Sequence, residues 1–106
     1  MTYTEGIMRA TKVEIKKSTR SGKKMMAVFY DGDKKVKTIH FGADGYEHYS
    51  GGHKDEARRQ RYIDRHKSSE DWGNPMTAGA LALYILWSKP TISAGIAAYK
   101  KKFGFK

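Results

Sequence analysis

Histidines and neighbouring carboxylates are the residues of this sequence whose types could support catalysis or bind a metal ion. They are His40, His48, His53 and His66, with Asp55, Glu70 and Asp71. Such groups can transfer protons, and three or four converging on one point can hold a metal. However, there is no His-Glu-x-x-His pattern, and His53-Lys54-Asp55 is not the His-x-Lys arrangement of phosphodiester transfer. We therefore predict no enzyme, no metal site and no cofactor. A nuclease built on His53, Asp55, His66 and the Glu70-Asp71 pair is the least favoured alternative.

Positive charge is the strongest compositional signal. The 106 residues include 21 Lys+Arg against 11 Asp+Glu, which gives a formal net charge of +10. An excess of this sign attracts polyanions, and nucleic acid is the most common of them. The absence of cysteine excludes disulfides, thiolate metal sites and cysteine nucleophiles. With 39% hydrophobic and 30% charged residues, the chain has the composition of one globular domain.

The candidate nucleic-acid-binding cations lie in three segments: the turn regions of the N-terminal strands, a stripe at helical spacing, and the C-terminal tail. In chain order they are Lys16, Lys17, Arg20, Lys23, Lys24, Lys34, Lys35, Lys37, Lys54, Arg58, Arg61, Arg65, Lys100, Lys101 and Lys102. The stripe, from Lys54 to Arg65, follows i, i+4, i+7, i+11, which places four cations on one helix face. We expect these segments to form one continuous basic surface.

Each basic segment also has a structural interpretation. The strand lysines could protect sheet edges from aggregation. The stripe could be a solvated face on which Asp55, Glu56 and Asp64 pair with their helical neighbours. The tail could be a frayed end whose phenylalanines, Phe103 and Phe105, pack against the core.

The first forty or so residues have the pattern of β-strands. Strands are predicted at 11–17, 25–30 and 34–41, where apolar and polar residues alternate or apolar residues predominate. Gly22 ends a turn-forming segment, and Asp31-Gly32 is a hairpin signal. A glycine-rich loop, 42–52, follows. The N-terminal half therefore predicts a three-stranded antiparallel meander.

The C-terminal half has the pattern of helices. One is predicted over 53–66, with Asp55 serving its first amides and His66 at its end. A second, apolar on nearly every side, is predicted over 76–87, with Asn74 as N-cap, Pro75 at N1 and Trp87 in the core. Pro90 is predicted at N1 of a third helix, on which Ile92, Ile96, Tyr99 and Phe103 share one face.

These elements predict an α+β fold in which the N-terminal three-stranded antiparallel meander packs against three C-terminal helices. The whole chain, 1–106, is predicted to be a single domain, with a sheet half at 1–42 and a helical half at 53–106. The core is predicted to be formed by apolar residues of both halves. They are Val13, Ile15, Met25, Val28, Ile39, Leu83, Leu86, Ile92 and Ile96.

A series of short motifs runs from Thr38 to Lys102, about three fifths of the chain. In order they are Ile39-His40-Phe41-Gly42, His53-Lys54-Asp55, Arg58-Arg59, Tyr62 with Arg65-His66, Glu70-Asp71-Trp72, Asn74-Pro75 with Thr77-Ala78-Gly79, Leu86-Trp87, Lys89-Pro90-Thr91 and Tyr99-Lys100. Together they resemble a family of small, basic, functionally uncharacterised proteins encoded by large DNA viruses of algae and protists (phycodnavirus- and mimivirus-like). The chain departs from the family pattern at Gly51-Gly52 and around Leu81 to Tyr84. The resemblance implies a viral origin and one fold, rather than a particular chemistry.

Charge and resemblance together predict a non-enzymatic protein that binds DNA, or RNA, largely without sequence specificity. With the viral origin that the resemblance implies, we predict a role in viral genome packaging or in the replication compartment. The alternative is a minor capsid or core protein of the virion that binds acidic proteins through the same lysines. Met1 to Gly6 lack the pattern of a secretory signal, and no apolar run reaches the roughly 20 residues needed to span a bilayer. We therefore expect no membrane partner and no secretion, but a location in the virion or in the host cytoplasm or nucleus.

Overall fold

A computed structural model describes residues 10–45 and 47–106. The expectation about Met1 to Gly6 lies outside the described residues. The strands are β1 (Lys12–Lys17), β2 (Lys23–Asp31) and β3 (Lys34–Ala43), which form an antiparallel sheet in the order β1-β2-β3. The predicted meander is confirmed.

Both tight turns of the sheet depend on glycine. Gly22 and Gly32 have φ angles of 86° and 64°, which residues with a Cβ rarely adopt. The turns fix the register: Val13 lies opposite Phe29, and Ala27 lies opposite Ile39. One face of the sheet thereby collects the apolar side chains that the helices cover.

The first helix, α1 (Glu56–His66), is shorter than the sequence predicted. Asp55 is its N-cap, as expected, and accepts hydrogen bonds from the backbone N–H groups of Ala57 and Arg58 at 2.9 and 3.3 Å. Lys54 precedes this cap in the left-handed conformation, with φ 55°. Lys54 is therefore not on the helix, and the predicted four-residue stripe is reduced to Arg58, Arg61 and Arg65.

The second helix, α2 (Ala78–Leu81), continues as a π-helical turn (Ala82–Leu86). The prediction of Asn74 as its N-cap is wrong. Asn74 accepts from the N–H of Met76 in a preceding turn, whereas the Thr77 hydroxyl accepts from the N–H of Ala80 and starts the helix. The threonine hydroxyl reaches the amide that a cap must satisfy, so the helix begins after it.

The third helix, α3 (Ile92–Phe103), is capped by Thr91, whose hydroxyl accepts from the N–H of Ala94 at 3.1 Å. Pro90 therefore precedes the cap and is not at N1 as predicted. Inside α3, a Cβ on Gly95 would lie 2.8 Å from the carbonyl oxygens of Ile85 and Tyr84. Only glycine allows α3 to approach the π-helical turn this closely.

Aromatic residues form much of the core between the sheet and the helices. Tyr99, Phe29 and Phe41 are the largest fully buried side chains, and the Tyr99 hydroxyl donates to the Pro75 carbonyl at 2.5 Å. Of the predicted core, Val13, Val28, Leu83 and Leu86 are buried, whereas Ile15, Met25, Ile39, Ile92 and Ile96 are partly buried around it. The predicted apolar face of α3 is confirmed, with Tyr99 at its centre. Within the described residues no helix is long and apolar enough to cross a membrane.

Candidate nucleic-acid interface

The sheet separates the basic strand residues into two groups. β2 has 9 residues, so the ends of the sheet lie about 27 Å apart. The β1–β2 turn lies at one end, with Lys16, Lys17, Arg20, Lys23 and Lys24. We call it the cleft end, because an open cleft between α1 and the end of β3 lies there. The β2–β3 turn lies at the other, which we call the tail end, with Lys34, Lys35 and Lys37. The lysines expected on one surface are thus divided between two ends.

The C-terminal tail joins the tail end of the sheet. Lys106 donates to the Thr11 carbonyl and accepts from the Val13 N–H, both at 3.0 Å, where β1 begins. Phe105 is buried and packs edge-on against Phe29, with ring centroids 5.6 Å apart. This confirms that the tail packs against the core. The Phe105 N–H donates to the Lys100 carbonyl at 3.0 Å, so the end of α3, with Lys100, Lys101 and Lys102, lies beside the tail at this end of the sheet.

The acids of α1 do not neutralise its arginine stripe. Glu56 pairs with Arg59 at 3.6 Å, and Asp64 pairs with Lys67 at 3.9 Å. The carboxylate of Asp55 is occupied by the helix N-terminus. In the part of the chain that the structure describes, Arg61 and Arg65 form no ion pair. Glu56 and Asp64 thus pair with neighbouring residues, as the structural interpretation expects, but these neighbours are not the arginines of the stripe.

The candidate cations as a set are also largely without carboxylate partners. Two of them form ion pairs within residues 10–45 and 47–106: Lys16 with Glu14 at 3.5 Å and Arg58 with Glu47 at 3.7 Å. In both pairs the side chains are exposed, so each contributes little to stability. Most of the basic charge therefore remains available to an external anion.

None of the residues of α1 is fully buried, and contacts with Trp87 are a large part of what attaches the helix to the domain, beside a hydrogen bond from the Tyr49 hydroxyl to Glu56. The Tyr62 ring stacks on the Trp87 indole, with centroids 4.3 Å apart and planes 3° from parallel. Arg59 Nε donates to the Trp87 carbonyl at 2.8 Å. Trp87, predicted to lie in the core, is partly exposed and serves as the attachment point for the arginine helix.

An open cleft of about 360 Å³ lies between α1, the end of β3 and Trp87. α1 contributes Arg58, Tyr62, Arg65 and His66 to its lining. The opposite side includes Gly42, Glu47 and His48. The cleft thus combines aromatic rings, two arginines and one glutamate at the cleft end of the sheet.

Two titratable side chains of the cleft, His48 and Tyr62, have shifted pKa values and are uncharged at neutral pH. Burial, together with the Lys24 ammonium and His53, lowers the pKa of His48 from 6.5 to about 4. Lys24 Nζ lies 3.3 Å from His48 Nδ1, so a neutral imidazole accepts a hydrogen bond from a cation there. Burial, with Glu70, raises the pKa of Tyr62 to about 12, so its hydroxyl keeps its proton at neutral pH. The lysine and the arginines supply the net positive charge of the cleft.

The histidines proposed for catalysis have separate partners. The His40 ring nitrogen Nδ1 lies 2.7 Å from the Ser18 hydroxyl, and His53 Nδ1 accepts from the Asp55 N–H at 2.9 Å. His66 lies 3.7 Å from Glu70 at the end of α1, as its predicted position implies. Across the described residues, no three or more histidines and carboxylates are grouped so that they could hold a metal ion.

Sequence reasoning missed Glu47 and Trp87 as parts of this site, and considered His48 only as a possible catalytic or metal-binding group. Glu47 and His48 lie in the glycine-rich loop, where no periodicity indicates which side chains turn inward. Trp87 ends an apolar run, a pattern typical of a core residue. The contact of these residues with α1 depends on the loop path, which local sequence does not specify.

The comparisons with known proteins concern mostly the sheet. Residues 13–66 match the model of DUF5754, described as a family of unknown function, over just over half of the chain. The chain belongs to this family. The DUF5754 segment contains the sheet from Val13 onward and all of α1, and thus every candidate cation except Lys100, Lys101 and Lys102. Trp87 lies outside it. No curated protein and no solved structure matches the chain significantly.

Proposed function

We propose that this protein binds the phosphate backbone of nucleic acid, with little sequence specificity and without catalysis. The observation that supports it is that, within residues 10–45 and 47–106, most candidate cations lack a carboxylate partner, because an unpaired surface cation can release counterions from a phosphate. Readout of adenine has little support, since α1 carries one Gln and no Asn that could pair with an adenine edge. From the sequence resemblance, we propose that the polyanion is the genome of a large DNA virus.

Binding to labelled DNA in competition with an acidic polypeptide tests the proposal. Fluorescence anisotropy should show binding to a duplex of about 20 base pairs, and unlabelled duplexes of unrelated sequence should compete equally, because phosphates carry no sequence information. Poly-glutamate of equal charge should compete at least tenfold less well, since the duplex has a dense layer of condensed counterions whose release favours binding. Equal competition by poly-glutamate would instead favour a role in binding acidic proteins of the virion.

A further inference from the structure

The cleft beside α1 has the size of a site for one small ligand. Its volume of about 360 Å³ lies in the range typical of small-molecule sites. Trp87, Tyr62, Ala82 and Gly42 form its aromatic and apolar lining. Such a recess can admit a single nucleotide, whereas a continuous backbone would pass across its mouth.

The charges at the cleft suit a compact dianion. Arg58 and Arg65 are seven residues apart, about two helical turns, and both line the cleft. Lys24 lies behind His48. The Glu47 carboxylate also lines the cleft and offsets part of this positive charge, since it forms an ion pair with Arg58. The pair is exposed and therefore weak, so a dianion can replace Glu47 as the partner of Arg58. A phosphate monoester carries nearly two negative charges at neutral pH, more than the single charge of a backbone diester.

The ring geometry indicates that the phosphate, rather than the base, supplies most of the recognition. The ring centroid of Tyr62 lies 4.3 Å from that of Trp87 and 4.5 Å from that of His66, so these two rings already pack against the Tyr62 ring. A base could therefore contact ring edges and the outer side of His66, but could not insert between Tyr62 and Trp87. Recognition of this kind tolerates any base.

We propose that the cleft binds the terminal nucleotide of a nucleic-acid strand through its phosphate monoester. The inference rests on the proposed nucleic-acid binding and adds a site that distinguishes a phosphorylated strand end from the rest of the backbone. Arg65 is the principal phosphate contact, because it lines the cleft and forms no ion pair within the described residues. Arg58 contributes once it leaves Glu47.

Binding of matched oligonucleotides tests this site. Single strands of about ten nucleotides, with an internal fluorophore and a 5′-phosphate, a 3′-phosphate or hydroxyl ends, are compared by anisotropy at one salt concentration. At least one phosphorylated strand should bind about tenfold more tightly than the hydroxyl strand, as expected for one charge-assisted arginine–phosphate contact. Equal binding of all three strands would overturn the inference.

Three variants locate the effect. Arg65→Gln should abolish the preference for the phosphorylated end. Arg61→Gln, one turn away and outside the cleft lining, should weaken all strands equally and keep the preference. Glu47→Gln should increase the preference, because it frees Arg58. A preference that survives Arg65→Gln, or that Arg61→Gln removes to the same extent, would contradict the assignment.

A mononucleotide separates this inference from the proposed function. If no strand binds even at low salt, nucleic-acid binding fails as the function. Deoxyadenosine monophosphate titrated in an NMR experiment should still shift the Trp87 indole and Arg65 signals in the wild type, and should no longer shift the Trp87 indole signal in Arg65→Gln. No shift in the wild type would overturn the cleft assignment as well.

Discussion

The indole of Trp87 and the phenol ring of Tyr62 lie parallel, 4.3 Å apart, and join the arginine helix to the rest of the domain. α1 has no buried residue, and this stack and the hydrogen bond from Arg59 to the Trp87 carbonyl attach it together with the hydrogen bond from the Tyr49 hydroxyl to Glu56. The position of Arg58 and Arg65 relative to the sheet therefore depends on a residue more than twenty positions away in sequence.

Replacement of Trp87 by alanine should release α1 locally. Hydrogen exchange should show that α1 amides lose at least tenfold in protection, because truncation removes about 1.4 kcal/mol or more of stacking and apolar contact. Amides of β2, at the centre of the sheet, should lose much less. Trp87→Phe keeps an aromatic ring and should retain part of the protection. An equal loss in α1 and β2 would show that Trp87 supports the whole fold.

Replacement of Gly95 by alanine should destabilise the domain by about 1–3 kcal/mol in chemical denaturation. The new methyl group would lie 2.8 Å from two backbone carbonyl oxygens, which cannot move as a flexible side chain can. The clash should outweigh the roughly 1 kcal/mol that alanine contributes in a helix. Gly73→Ala is the matched control, since its Cβ would meet Asp71 at an ordinary 3.6 Å. A Gly95→Ala protein as stable as the control would disprove the close approach.

Stability should fall as the pH is lowered from about 6.5 to about 4. Burial lowers the pKa of His48 to about 4 in the folded protein, against 6.5 for an ordinary histidine. Between these pH values His48 is protonated in the unfolded chain but remains neutral in the folded protein. Its contribution to the free energy of unfolding is therefore complete above pH 6.5 and is lost as the pH falls towards 4. We expect a loss on the order of 1–3 kcal/mol.

Denaturation midpoints measured across this pH window test the prediction. His48→Gln removes the titrating group while keeping a polar side chain, and should flatten the dependence. His40→Gln, at a position with a different partner, should preserve it. A wild-type profile as flat as that of His48→Gln would contradict the assignment.

The fold could largely be predicted because its local signals agree. Alternation in the strands, Gly22 and Asp31-Gly32 at the turns, and the apolar face of α3 each indicate the same arrangement. The helix starts were less predictable, since Asn74 and Thr77 are both good caps three residues apart. Tertiary contacts, such as the hydrogen bond from the Tyr99 hydroxyl to the Pro75 carbonyl, hold residues 74–77 in a turn. Local helix propensity does not predict such contacts.

The site was predictable in composition but not in arrangement. The candidate cations follow from the sequence, yet their division between two ends follows from the meander, since successive turns lie at opposite ends of the strands. The pairing of Glu56 with Arg59 and of Asp64 with Lys67, rather than with the stripe, reflects side-chain directions on α1. The cleft depends on how residues 42–45 and 47–53 pass Trp87, and the sequence of this segment has no periodicity that would predict its path.

The salt dependence of duplex binding tests the central claim most directly. A plot of log K against log salt concentration should fall linearly by about 0.9 for each phosphate contacted. The tail-end variant Lys34→Gln/Lys35→Gln and the cleft-end variant Arg61→Gln/Arg65→Gln should each reduce this slope by up to about 1.8, while Thr38→Gln, an exposed neutral position on β3, should leave it unchanged. Binding that is absent at low salt, or a slope that neither double variant changes, would contradict a phosphate-binding role for these cations.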